Sequence, residues 1–236
     1  MRLSEFFKKE ISGWKSYEIF SLLAVFALIL YNTISLHDNP IAMLSAIFGI
    51  MYTIFAGKGK ISCYFFGLMG SACYIWLSVA NHLYGNAFLY LLYYIPMQIN
   101  GIFMWKNHLK EHSLEIEKTR LSVNKRIKYI LLAFLGCLAT CFMLYYMNDA
   151  EPLIDGITTF LSIIGMYFTV KRYFEQWIVW IVVNGLSFLM WLDLIMHGVK
   201  VYSTLVMWGF YLLMAIYFYF VWYKEIKKNN NNPINA

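Results

Sequence analysis

The chain has 236 residues, of which 61% are apolar and only 14% charged. That balance excludes an ordinary soluble domain and describes a polytopic membrane protein. The formal net charge of +6 is no sign of nucleic-acid binding, because the basic residues sort by membrane side.

The chain opens with "MRLSEFFKKEISGWK", which places Leu3, Phe6, Phe7, Ile11 and Trp14 on one helical stripe with lysines elsewhere. Residues 1–16 therefore read as an amphipathic segment lying on anionic membrane lipids. Residues 17–36 form the first predicted span; the apolar stretch is too long for a removable signal, and no small-residue cleavage site follows it. A span needs roughly 20 mainly apolar residues. Seven more candidates follow, at 41–56, 61–81, 87–105, 129–147, 153–170, 176–197 and 201–223. A basic loop at 106–128 divides them, and residues 224–236 form a tail. The predicted fold is an all-α polytopic membrane protein with eight transmembrane helices.

Of the 19 Lys and Arg residues, only Lys200 falls on the opposite side of this eight-span scheme. Positive charge stays cytoplasmic, so both termini are expected inside a bacterial inner membrane. The cysteines Cys63, Cys73, Cys137 and Cys141 all fall within spans and read as small packing residues without disulfides.

The order also repeats. "GSACYIWLSVANH" and "GLSFLMWLDLIMH" share Gly70, Trp76, Leu77 and His82 with Gly185, Trp191, Leu192 and His197. Each triplet follows an acid and a proline, at Asp38–Pro40 and Asp149–Pro152. Counting gives a 1+3+1+3 arrangement. Residues 41–105 form the first three-helix repeat, 129–147 a linker helix, and 153–223 the second repeat. A linker that crosses the membrane makes the two repeats parallel, as in some secondary transporters.

The polar residues point to a solute. Trp177, Trp180, Asn184, Ser187 and Trp191 share one face of the seventh helix, and Tyr94, Gln98, Gly101 and Trp105 form a stripe on the fourth. Pro96 frees a backbone carbonyl in the same segment. At 1.5 Å per residue, Asn184 lies roughly 12 Å and Gln98 roughly 10 Å from the inner surface. The two amides are thus expected at similar depth, on corresponding outer members of the triplets, in one enclosed cavity. Aromatic planes and neutral amides suit a planar, neutral or cationic, hydroxyl-bearing metabolite. Asp193, the one acid well within an apolar run, is a coupling candidate, although a wetted helix end is equally consistent. Lys58 and Lys60 in "GKGK" read as topological anchors. No nucleophile with its base and no cluster of metal-binding residues is evident, so no catalytic residue, metal or cofactor is expected.

"GKGK", "LYGNAFLYLLYYIPMQINGIFMW" and "QWIVWIVVNG" closely resemble the nicotinamide riboside transporters of the PnuC family, from about residue 40 to 223. The Y-Y-x-P-M-Q and W-x-x-W-x-x-x-N signatures carry the likeness. The resemblance implies a fold related to the SWEET sugar transporters. It also implies facilitated diffusion of nicotinamide riboside, trapped by phosphorylation by a cytoplasmic riboside kinase. Family substrate contacts map onto Gln98, Trp180 and Asn184, and further onto Trp177, Tyr94, Asn100 and Trp208. Carriage of another ring-bearing vitamin such as thiamine, or a non-transport scaffold or receptor role, are the competing expectations. A homo-oligomer is also expected.

Overall fold

A computed structural model describes residues 14–36, 39–80, 87, 89–109, 115–147, 152–197 and 202–231. Among these residues there are eight α-helices: α1 (Ser16–Leu36), α2 (Pro40–Gly57), α3 (Cys63–Ala80), α4 (Ile95–Lys106), α5 (Val123–Tyr146), α6 (Pro152–Val170), α7 (Gln176–Met196) and α8 (Tyr202–Asn231). Each predicted span overlaps a helix, although in the fourth, 87–105, α4 begins only at Ile95, after a π-helical turn at Tyr90–Tyr94. Two run longer than the apolar pattern: α5 begins at Val123 and α8 continues to Asn231, each by taking its flanking lysines into the helix. The surface segment at 1–13, His82, Asp149 and Lys200 lie outside the described residues.

Five of the helices are long and apolar enough to cross a membrane, and Cys63–Trp76 and Gln176–Met190 are shorter apolar stretches. Local chemistry sets the ends. Asn39 caps α2 by accepting the Ile41 N–H at 2.8 Å, and Pro40 occupies a first-turn position whose N–H needs no helical partner. A π-helical turn, Tyr90–Tyr94, leads into α4, with the Ile95 N–H bonded to the Tyr90 carbonyl. Pro96 explains it: its ring cannot sit over the carbonyl one α-turn back, so the ladder widens there.

The chain divides into two compact units, Met1–Glu117 and Lys118–Ala236. In the first, α2 packs on α3, α3 on α4, and α1 more lightly on α2. In the second, α5 packs on α6 and α7 lies against both α6 and α8. The α5–α6 contact is made by small residues. Thr140 donates to the Gly156 carbonyl at 2.8 Å, and a Cβ on Gly156 would meet the Cys141 backbone nitrogen at 2.7 Å. Cys137 and Cys141 are free thiols beside α6, so the packing reading of this pair holds.

Two helix connections share a hydrogen-bond pattern, in a register that differs from the motif match. The connection from α2 to α3 and that from α6 to α7 carry the same hydrogen bonds. Lys58, Gly59 and Lys60 donate to Ile54, Ala56 and Phe55 as Lys171, Arg172 and Tyr173 donate to Tyr167, Thr169 and Phe168. Cys63 and Tyr64 donate to Lys60 and Ile61 as Gln176 and Trp177 donate to Tyr173 and Phe174. The second residue of each set fixes the match: Gly59 has φ 69° and its counterpart Arg172 has φ 61°. Glycine takes that conformation freely, whereas arginine is strained in it.

In this register Gly70 corresponds to Val183, so the G-x5-W-L-x4-H motifs are two positions out of step. The glycines behave accordingly. A Cβ on Gly70 would press on Phe48 at 3.3 Å, whereas one on Gly185 meets only Leu212 at 4.0 Å.

The basic loop is not an open linker at its described end. The Ile116 N–H bonds to the Gly59 carbonyl at 3.0 Å in the first unit, and the Thr119 N–H to the Arg172 carbonyl at 3.1 Å in the second. Lys60 pairs with Glu115 at 3.5 Å, and Lys58 pairs with Glu18 at 2.7 Å while lying over the Trp14 ring. Glu175 accepts from the Leu121 N–H at 3.1 Å and from Arg126 at 3.0 Å. Lys118 pairs with Glu225 and covers the Trp222 ring. These lysines are partnered groups within the fold.

Candidate functional site

The stripe on α4 is buried as its spacing predicts: Gln98 is 4% exposed, Trp105 is fully enclosed, and Gly101 lies between them. Gly101 is where Tyr64 enters, since a Cβ there would fall 2.2 Å from the ring. Tyr64 in turn meets Trp105 edge to face, with centroids 5.0 Å apart. The Gln98 carboxamide crosses to α3, where its Nε2–H donates to the Ser71 hydroxyl oxygen at 2.9 Å. Its Oε1 is buried with no partner among the described residues. Tyr94, at the end of the π turn, is half-buried and stacks on Tyr90 at 4.6 Å, and Tyr90 leans on Tyr74 of α3 at 4.3 Å. Asn100 is exposed on α4 and turned away from that stripe.

In the second unit, α7 sends Trp177 and Trp180 to different neighbours. Trp177, 2% exposed, packs on Phe218 and Trp222 of α8, with centroids at 5.3 and 5.6 Å. Trp180 turns to α6, where its indole N–H donates to Thr169 at 3.2 Å. The flat of the ring lies against Gly165, since a Cβ there would be 3.1 Å from the indole. Thr169 is locked in turn by donating to the Gly165 carbonyl at 2.9 Å. Asn184 and Ser187, one and two turns further on, are both buried, at 6% and 4% exposed. No described residue hydrogen-bonds the Asn184 amide. Trp208 on α8 is half-buried and meets Tyr211 edge to face at 5.8 Å.

The register corrects the expected pairing of the two amides. Gln98 and Asn184 do not sit on corresponding helices: α4 corresponds to α8, and α7 to α3. The edge-to-face pairs Tyr64–Trp105 and Trp177–Trp222 show this, and they match Gln98 with Ala215, which is 1% exposed. Asn184 corresponds to Ser71 and Trp180 to Gly67. The exchange of sizes is systematic. In the first unit Gly67 of α3 faces Tyr52 of α2, with a Cβ at 2.9 Å. In the second, Trp180 of α7 faces Gly165 of α6. Large and small have traded sides of the same helix contact.

Ser71, Gly67 and Thr169 were missed from sequence. Small residues on apolar helices give no signal of their own; only the register ties them to the amides and indole they hold. Asp193 is exposed and pairs with His197 at 3.4 Å near the end of α7, the position of a wetted helix end.

The comparisons bear on the whole chain. The family model described as "Nicotinamide mononucleotide transporter" matches residues 39–224. A Neisseria mucosa protein named "Nicotinamide riboside transporter PnuC" is 31% identical, over 94% of this chain and 87% of its own. A protein of the same name from Haemophilus influenzae is 30% identical over 98% of this chain and all of its own. The solved structure titled "Crystal structure of the Vitamin B3 transporter PnuC" superposes with a TM-score of 0.81 at 32% identity, covering 97% of this chain and 99% of that one. With five membrane-length helices and a likeness that runs nearly end to end, the chain belongs to the PnuC family of membrane transporters, proteins that carry solutes and are not enzymes.

Proposed function

We propose that this protein carries nicotinamide riboside by facilitated diffusion, a uniport made net inward by phosphorylation of the riboside inside the cell. In this reading Gln98, Trp180 and Asn184 contact the solute, with Trp177, Tyr94, Asn100 and Trp208 as further contacts. The helices form the 1+3+1+3 SWEET-like plan of parallel repeats, with both termini cytoplasmic. The repeated α2–α3 and α6–α7 connections support that plan.

The observation that carries the proposal is the environment of Asn184. The amide has no partner among the described residues and, unlike the Gln98 oxygen, is not among the fully enclosed unpartnered atoms, so it stands open to hydrogen bonds from a solute or water. It stands one turn from an indole whose only polar atom Thr169 already satisfies, leaving that residue its aromatic face. An amide beside a flat aromatic surface suits a pyridinium ring bearing a carboxamide and a ribose. The names of the relatives agree on the riboside, whereas the family model names the mononucleotide. A phosphate monoester needs cations or several N–H donors; the residues beside Asn184 and Gln98 named above are neutral, which favours the riboside.

The test is uptake into liposomes enclosing a riboside kinase and ATP, with labelled nicotinamide riboside compared against thiamine and riboflavin. Accumulation of the riboside alone is expected. Selective accumulation of thiamine would assign the chain to another vitamin, and no uptake of any solute would leave the scaffold reading. Because Asp193 is exposed and paired with His197, dissipating the proton gradient is expected to leave the initial rate unchanged.

A further inference from the structure

The carboxamide of Gln98 has a direction, and one residue outside the contacts proposed above sets it. Its nitrogen is engaged by Ser71 at 2.9 Å, whereas its oxygen is enclosed and unanswered among the described residues. Both side chains are more than nine-tenths buried, at 4% for Gln98 and 3% for Ser71. Space for this arrangement comes from Gly67, one helical turn before Ser71 on α3. A Cβ there would lie 2.9 Å from the Gln98 oxygen and 3.1 Å from its Cδ. The Ser71 hydroxyl oxygen is the acceptor in this pair, and a hydroxyl has lone pairs to give to it. Amide nitrogen and oxygen have nearly the same shape, so packing alone does not choose between them.

We propose that Ser71 is a positioning residue for Gln98: by accepting the Nε2–H it presents Oε1 as a fixed acceptor to a hydrogen-bond donor on the transported solute. This rests on the riboside reading, in which the donor is a carboxamide N–H or a ribose hydroxyl. The second unit shows why such a brace is local to the first. There the position of Ser71 is itself an amide, Asn184, that of Gly67 is Trp180, and that of Gln98 is Ala215. Where α7 brings its own carboxamide, α8 brings none and nothing has to be held.

The experiment uses the full chain in liposomes, as wild type, Ser71→Ala and Ser71→Thr. Half-saturation is measured for nicotinamide riboside, for the ribosylpyridinium that lacks the carboxamide, and for the deoxyriboside. Loss of one aimed hydrogen bond corresponds to about tenfold. Ser71→Ala is expected to raise half-saturation for the riboside by about that factor, with maximal rate and melting temperature unchanged. The shift should vanish for whichever analogue lacks the donor that Oε1 receives, and Ser71→Thr should restore wild-type behaviour. An unchanged riboside value, an equal shift for all three solutes, or failure of threonine to rescue overturns the role. A second readout needs no solute: exchange of the Gln98 side-chain amide protons, followed by NMR in detergent, is expected to be slow in the wild type and fast in Ser71→Ala. Absence of riboside uptake by the wild type would sink the riboside reading, while this exchange still decides Ser71.

Discussion

Replacing Thr169 by valine tests how the indole of Trp180 is held. Valine keeps the shape of threonine but puts a methyl where the hydroxyl accepts the indole N–H at 3.2 Å. Thr169 is 1% exposed, so water does not easily take over. An orphaned donor of this kind costs about 1–2 kcal/mol, more than a hydrogen bond contributes on average, because desolvation is no longer offset. At 1.4 kcal/mol per decade that is a factor of roughly 5–30 in half-saturation for the riboside. The sign of the coupling is the sharper expectation. In a Trp180→Phe background no N–H remains to orphan, so Thr169→Val should be nearly neutral there, and the cycle should return about 1 kcal/mol. Uptake kinetics and melting temperature of the four proteins measure it. A cost for Thr169→Val that is the same in both backgrounds would refute the view that this hydrogen bond fixes the indole plane.

Three other substitutions follow from the same geometry. Asn184→Leu is expected to abolish uptake without loss of helical circular dichroism or of the melting transition, because the amide has no described partner to lose; normal uptake would remove Asn184 from the site. Gly101→Ala forces the Tyr64 ring away from a Cβ that would sit 2.2 Å from it, and such overpacking costs about 1–3 kcal/mol. A wild-type melting temperature for that variant would contradict the tight α3–α4 contact. Glu175→Gln removes the charge that gathers Arg126 and the Leu121 N–H. Since the Arg126 side chain is 40% exposed and keeps much of its hydration, the effect should be local. Backbone exchange at Leu121 should speed by about tenfold with little change in melting, and unchanged exchange would show that Glu175 does not hold the loop.

Much of the helix plan was legible because hydropathy acts over a whole span, and one misplaced residue does not hide it. The stripe of Tyr94, Gln98, Gly101 and Trp105 was legible for the same reason: helical spacing alone puts those residues on one face. The register of the repeat was not. In the first unit Gly59 advertises its left-handed turn, but its counterpart is Arg172, which no composition rule would place there. With that landmark absent from one copy, the shared Gly-Trp-Leu-His pattern drew the alignment two positions away. The docking of Ile116 and Thr119 was equally hidden, since backbone hydrogen bonds from a charged loop leave no trace in side-chain type. Nothing in the sequence sets Glu175 apart from other charges, and only its bonds to Leu121 and Arg126 distinguish it.

The corrected register changes what the repeat means for function. Had the two amides sat on corresponding helices, the copies would offer the same chemistry twice. Instead the polar group of the first copy is delivered by α4 across a gap left by Gly67 and Ser71. That of the second is delivered by α7, while α8 carries the small Ala215 at the register position of Gln98. The aromatic bulk trades places as well, from Tyr52 facing Gly67 to Trp180 facing Gly165. In each copy a large side chain fills space that a glycine or alanine concedes, so interior packing is kept while the chemistry differs.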